Sequence, residues 1–437
     1  MAALLKRGCL RVASEGELKA SSEYSAPRRQ LRGTMRGAFL SAIGWALSVV
    51  AVTQTILTRA LVKIPRRVAV GRIERILVVR LDELGDLVMT WPLIHALRSC
   101  LPEAELTLLV NQSVLGITEG MAGIRVIGVN VRCSKLLRQF VLPVRHYRFV
   151  RKYLRNEQFD VCLLPRRDSD DVAATMLAYF TRATRRISFS EKSTPRKAIT
   201  NRSFDSLLTD VLSAPPVQHE TRTNLSLLAA IGVHPIARSC PLPLTDATVR
   251  FAENSLPLAD ATYVAICPTS GHSRLKQWGA ERFAEVASRL TASGISVVLI
   301  GGPADSPLGS VIQDACEGNC LNFIGRTSLL EMAALLARCA AFLGNDAGPT
   351  HVASALGIGT VGVFGSSCWH QFGPWTGRQS VIVREISCSP CIGHSKNRCD
   401  VCLYSKPICL EQITTAEVLE AVTAIAGAKP RPAKLRN

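Results

Sequence analysis

Hydrophobic and polar positions change period repeatedly along the chain, and the changes predict short buried strands alternating with helices. Arg75-Ile-Leu-Val-Val-Arg-Leu81 is an apolar run suited to a strand covered on both faces, and Asp82-Glu-Leu-Gly-Asp86 after it reads as a tight loop. From Leu87 to Cys100 the apolar residues Leu87, Trp91, Leu93, Ile94 and Leu97 recur at helical spacing, and Glu105 to Val110, beyond Pro102, reads as the next strand. Such a βαβ unit has a right-handed crossover. It places Gly85 and Asp86 at the carboxyl end of its first strand, where open α/β sheets bind ligands.

A second series begins beyond Pro241, Pro243 and Pro257, which mark a linker. Thr262 to Cys267 is a predicted strand, followed by the loop Pro268-Thr-Ser-Gly-His-Ser-Arg-Leu-Lys-Gln-Trp278 and a helix from Ala280 to Ser293 that Gly294 ends. Ile295 to Ile300, Ala340 to Gly344 and Thr360 to Phe364 are further strands; Leu329 to Arg338, Pro349 to Leu356 and Thr415 to Ala426 are helices. The pattern predicts an α/β protein of two doubly wound, Rossmann-like domains facing each other across a cleft. Residues 74–240 form the first domain and 241–426 the second, with a disordered basic tail over 427–437.

Residues 1–73 follow neither period. Within them, Gly37 to Ile56 is uncharged over a length that would just cross a hydrocarbon layer, although Ser41, Gly44, Ser48, Thr53, Gln54 and Thr55 weaken it. Basic residues flank it on both sides, so charge assigns no orientation. The expectation is a membrane-associated extension, either a single span or a helix lying in the interface. A helix packed on the folded domain is the disfavoured alternative, because basic residues separate the segment from the periodic region.

Composition is that of a globular protein: 437 residues, 47% hydrophobic and 20% charged. Fifteen cysteines, an odd number in a long chain, argue for reduced thiols rather than a secreted disulfide scaffold. The net charge of +18 is uneven: residues 1–73 hold 13 basic against 3 acidic side chains, and 130–202 hold 17 against 6, so the remainder is slightly acidic. No RNP, zinc-finger or basic-zipper pattern accompanies this charge, and nucleic acid is excluded as a partner. An anionic substrate or lipid surface fits the two basic stretches better.

The loops carry the candidate chemistry. Asp86, in the first turn of its helix, is either a cap or an ionised general base, and spacing alone favours the cap. Gly344-Asn-Asp-Ala-Gly-Pro-Thr-His351 follows a strand and opens a helix; Gly348 allows a close turn, and the amides from Gly348 to His351 suit a diphosphate. Lys276 is its expected charge partner, with Thr269, Ser270 and Ser273 as hydroxyl donors. Cys388-x2-Cys391-x7-Cys399-x2-Cys402 has paired spacing for a structural zinc, with redox bonding or plain packing as alternatives; Cys409 follows.

These segments together resemble glycosyltransferase family 9, the ADP-heptose:lipopolysaccharide heptosyltransferase family. The resemblance rests on ILVVRLDELGDLVMTWPLIHALR, Lys276-Gln-Trp278, FLGNDAGPTHVASALG and the CSPC segment, in order over residues 74–425. It implies a GT-B fold and inverting, metal-independent transfer from a nucleotide-diphospho-sugar. By motif, Asp86 beside Gly85 matches the catalytic base, Lys276 the phosphate-binding lysine, and Asp346, Gly348, Thr350 and His351 the donor segment. No catalytic cofactor is expected. The expected partners are the donor, an anionic lipid-linked glycan acceptor and the membrane surface, at the cytoplasmic face of a bacterial inner membrane. The competing reading is a metal- or redox-dependent binding module built on the cysteines, with a vestigial nucleotide-sugar site.

Overall fold

The computed structural model describes residues 33–62, 71–134, 137–235, 240–256, 261–271, 273–316, 320–375, 377–391 and 406–427, with Cys402 and Tyr404. They divide at Cys240 and Pro241 into two compact units.

The N-terminal unit runs α1 (Gly33–Leu61), β1 (Arg75–Arg80), α2 (Leu84–Cys100), β2 (Glu105–Asn111), β3 (Arg125–Val129), α3 (Arg138–Tyr153), β4 (Val161–Leu164), α4 (Ala174–Phe180), β5 (Arg185–Phe189), α5 (Pro195–Thr200), β6 (Asp210–Leu212) and α6 (Glu220–Ser226). Its six strands are all parallel, in the order β3-β2-β1-β4-β5-β6. Ile76 to Val79 are buried within β1, as a strand covered on both faces requires, and Leu77 and Val79 join Leu164, Leu177 and Phe180 in the core.

In the C-terminal unit the order is α7 (Asp246–Ser255), β7 (Tyr263–Cys267), α8 (Ala280–Ala292), β8 (Ser296–Leu299), α9 (Ser306–Asp314), β9 (Cys320–Asn322), α10 (Leu329–Ala337), β10 (Ala341–Asn345), α11 (Gly348–Ala355), β11 (Gly359–Val363), α12 (Trp369–Phe372), β12 (Gln379–Ile382), α13 (Ile408–Glu411) and α14 (Thr415–Gly427). This sheet is also parallel, ordered β12-β11-β10-β7-β8-β9. Counted from its own first strand, it repeats the order of the N-terminal sheet. α8 buries Phe283, Val286, Ala287 and Leu290, one face at spacings of three and four, against the core that β7 and β8 supply. Each predicted strand and helix of the two series is present, within a few residues at its ends.

Strand order fixes where a ligand can go. In each sheet the chain turns back at its centre, between β1 and β4 in one unit and between β7 and β10 in the other. There the loops leave the carboxyl ends on opposite sides and open a crevice.

The segment 37–56 differs from expectation. It is part of α1, whose second half packs on the N-terminal unit. Ser48 Oγ donates to the Ile199 carbonyl at 3.3 Å, Gln54 Nε2 donates to the Gln139 carbonyl, and Tyr179 OH donates to the carbonyl of Val62 at 2.8 Å. No helix among the described residues is long and apolar enough to cross a membrane. The reason lies in Ser48, Thr53, Gln54 and Thr55, which dilute the apolar run and, at Ser48 and Gln54, anchor it to the protein. A single-span extension is therefore not supported.

Candidate active site

The candidate residues of the N-terminal unit lie at the end of β1. Arg80 is 2% exposed, and a guanidinium so buried must be paired. Its Nε meets Asp82 Oδ2 at 3.0 Å, its Nη2 meets Asp86 Oδ1 at 2.8 Å and Glu220 Oε1 at 3.7 Å, and its Nη1 donates to the Pro165 carbonyl. Arg166, from the loop after β4, pairs with Asp82 Oδ1. Asp86 sits in the first turn of α2, 33% exposed, and among the described residues its carboxylate partner is Arg80, not a backbone amide. That disposes of the helix cap. One carboxylate oxygen is held by the guanidinium, and the side chain still reaches solvent, as a base must.

The same end of the sheet carries two cations from the basic stretch 130–202 that sequence reading did not single out individually. Lys197 is buried and donates to the Phe189 carbonyl at 2.8 Å and the Arg166 carbonyl at 3.1 Å; burial brings its amine down to about 8. Arg167 is buried as well, with Nε and Nη1 lacking a hydrogen-bond partner among the described residues. A charged residue closing an apolar strand, as Arg80 closes β1, was the available signal.

Arg80 is a buried guanidinium shared by Asp82, Asp86 and Glu220, and Arg80→Met withdraws that positive charge from the network. It is expected to destabilise the protein by about 3–5 kcal/mol, read as a shift in the urea midpoint at constant slope. An unchanged midpoint would show that the network contributes nothing.

The candidate residues of the C-terminal unit lie between β7 and β10. Lys276, on the loop after β7, is 25% exposed and its Nζ is 2.6 Å from Oδ2 of Asp346, which follows β10 and is 6% exposed. Ser367 Oγ donates to the same oxygen, and His351 Nε2 lies 3.7 Å from Oδ1. Burial alone would push the Asp346 carboxyl up, but the Lys276 ammonium and the contacts from His351 outweigh it and hold the group well below the usual carboxylate range. Asp346 is thus a fixed negative charge that aims Lys276.

The remaining predicted donor residues shape this loop pair. Asn345 accepts from the Trp278 amide at 3.1 Å and donates to the Pro268 carbonyl at 2.8 Å, tying β10 to the loop after β7. Ser270 Oγ donates to the Ser273 carbonyl at 2.8 Å, Thr269 is buried beside Cys267, and Thr350 Oγ1 donates to the Asn345 carbonyl. α11 opens at Gly348 and contains Pro349, which has no N–H, while the Thr350 amide bonds the Ala347 carbonyl. Fewer amides face outward there than a run of four residues suggests. Ser367 was missed, since nothing in its sequence neighbourhood ties it to Asp346.

The cysteine segment packs behind this loop pair. Cys388, Cys391, Cys402 and Cys409 line one cavity with Leu275 and Ser366, and burial, with the neighbouring thiols, pushes Cys409 up to about 11. The Cys391 amide bonds the Ser366 carbonyl at 2.9 Å, next to Ser367, so the segment supports the loop that holds Asp346. Cys399 lies outside the described residues. Among those described, no group of three or more His, Cys, Asp and Glu is arranged to hold a metal ion.

Two doubly wound sheets with charged loops at both central crevices match a known architecture. A family model described as glycosyltransferase family 9 (heptosyltransferase) covers residues 147–400, more than half of the chain. The chain belongs to that family. Lipopolysaccharide heptosyltransferase 3 of Escherichia coli is 25% identical over 301 residues, 67% of this chain and 84% of that protein. Lipooligosaccharide heptosyltransferase 2 of Haemophilus influenzae is 27% identical over 150 residues, 33% of this chain. There the match spans less than half of the relative, 43%.

The fold of the family is shared with solved structures. A family 9 glycosyl transferase from Veillonella parvula superposes with a TM-score of 0.67 at 20% identity, covering 82% of this chain and 99% of that one. The E. coli ADP-heptose lps heptosyltransferase II superposes with a TM-score of 0.61 at 20% identity, covering 80% and 98%. In this glycosyltransferase family member the Asp86 loop and the Lys276 and Asp346 loops occupy equivalent positions in their respective sheets, each at a switch point.

Proposed function

We propose that the protein transfers heptose from ADP-heptose to a lipopolysaccharide core or related cell-envelope glycan, with inversion at the anomeric carbon. The observation that carries this reading is the Lys276–Asp346 pair at the switch point of the C-terminal sheet: a partly exposed cation fixed by a buried carboxylate where a nucleotide diphosphate would lie. The names of the relatives, lipopolysaccharide and lipooligosaccharide heptosyltransferases, support the choice of donor and acceptor class.

Asp86 accepts the proton of an acceptor hydroxyl as that oxygen bonds to the anomeric carbon. The bond from that carbon to the diphosphate breaks on the opposite face, and the electron pair leaves with the diphosphate. One displacement inverts the centre. Lys276 stabilises the charge developing on the departing phosphate oxygens, which is the step where a preorganised cation contributes most. No Asp-x-Asp pair accompanies the phosphate loops, and Lys276 takes the role a divalent cation plays elsewhere. On the acceptor side, the unpartnered guanidinium atoms of buried Arg167 support an anionic group on the acceptor.

Thermal shifts with ADP, UDP, GDP and CDP test the donor assignment. ADP is expected to raise the melting temperature selectively, by an amount corresponding to about 2.7 kcal/mol at a hundred times its Kd. Equal or absent shifts with all four nucleotides in folded protein would sink the reading.

A further inference from the structure

The second half of α1 is amphipathic in the reverse sense. Ser48, Ala51, Thr55 and Thr58, with Val62 just past the helix, are buried against the rest of the N-terminal unit, whereas Val49, Ile56 and Leu57 face outward, Ile56 at 62% exposure. A helix on a water-facing surface turns its aliphatic side inward. Small and hydroxylated residues at the protein contact with aliphatic residues outside is the arrangement of a helix whose outer face meets hydrocarbon. The polar residues of the run do not interrupt that face: Thr53 Oγ1 donates to the Val49 carbonyl at 2.9 Å and Thr55 Oγ1 to that of Ala51 at 3.0 Å.

α3 lies alongside, joined through Gln54 and the Gln139 carbonyl. It buries Leu142, His146 and Val150 and exposes Phe140, at 62%, and Val144, which share one helical stripe with exposed Leu137 just before the helix. The stripe runs on into exposed Arg148 and Arg151, with Arg145 and Lys152 exposed nearby and Arg59 exposed on α1. The two helices therefore present an apolar strip bordered by basic side chains, with no acidic residue on either helix.

We propose that this face docks the protein on an anionic lipid bilayer. Val49, Ile56, Leu57, Phe140 and Val144 enter the boundary between headgroups and acyl chains, and the arginines meet lipid phosphates, with α1 in the plane of the membrane. The charge decides for this occupant over a second copy of the chain, because two such faces would bring like charges together. The assignment is independent of the donor site.

Flotation of the full chain with phosphatidylcholine vesicles, with and without phosphatidylglycerol, tests it. Binding is expected only with the anionic lipid and should weaken steeply with salt. Ile56→Asp with Phe140→Asp should lower the partition by about tenfold or more, and Arg148→Gln with Arg151→Gln by a comparable factor. All four side chains face outward, and circular dichroism should report an unchanged fold. Binding equal for both vesicle types and untouched by the variants, or no binding at all, would overturn the proposal. So would a stable dimer that Phe140→Asp dissociates while vesicle binding stays the same.

Discussion

Asp86→Asn is expected to lower kcat by about 10²- to 10⁴-fold while the protein remains folded and its affinity for the donor nucleotide stays within a factor of two or so. Asparagine keeps the shape of the side chain but cannot accept the hydroxyl proton. Arg80 stays paired after the change, since Asp82 lies at 3.0 Å and Glu220 at 3.7 Å, so loss of one carboxylate does not dismantle the buried network. The measurement is steady-state transfer to a glycan acceptor, alongside ADP titration of the variant. A kcat near that of the unaltered protein would remove Asp86 from the chemistry and return it to a structural ion pair with Arg80.

Lys276→Ala should have the second large effect, and two consequences separate cleanly. Removing the ammonium takes away the charge that faces the departing diphosphate, expected to cost about 10²- to 10³-fold in kcat/KM, as for other preorganised donors. It also strands the Asp346 carboxylate, which is 6% exposed and would then be governed by burial, with its proton affinity raised. The single variant should therefore lose stability as well as activity. Adding Asp346→Asn removes the stranded charge and is expected to recover much of the melting temperature while leaving transfer low. If the double variant recovers transfer together with stability, Lys276 acts only through the fold. Paired measurements of this kind are needed because the two residues are in contact and their effects do not add.

The elements were legible from local pattern. The run Arg75 to Leu81 was suited to a strand covered on both faces and Ala280 to Ser293 to a helix, because period and side-chain type report on how a segment meets a core. Loop motifs were legible for a related reason. Gly85-Asp86 and Asp346-Ala-Gly348 follow apolar runs closely, and the carboxyl ends of parallel strands are where such loops bind ligands.

What the amino-acid order alone determined, then, was two series of strands and helices and a short set of charged loop residues. Tertiary structure decided the partnerships. Lys276 and Asp346 are 70 positions apart and meet only because β7 and β10 are neighbours at the centre of their sheet. Arg80 meets Glu220 through a packing of α2 and α6 that no local signal announces. α1 shows the limit most plainly, for its composition suggested a membrane segment but not which face the protein would take. That choice depended on Ser48, Ala51 and Thr55 fitting closely against the rest of their own unit, and it left the aliphatic side to whatever lies outside. Periodicity records what each residue prefers as a solvent; only the assembled fold supplies the neighbour.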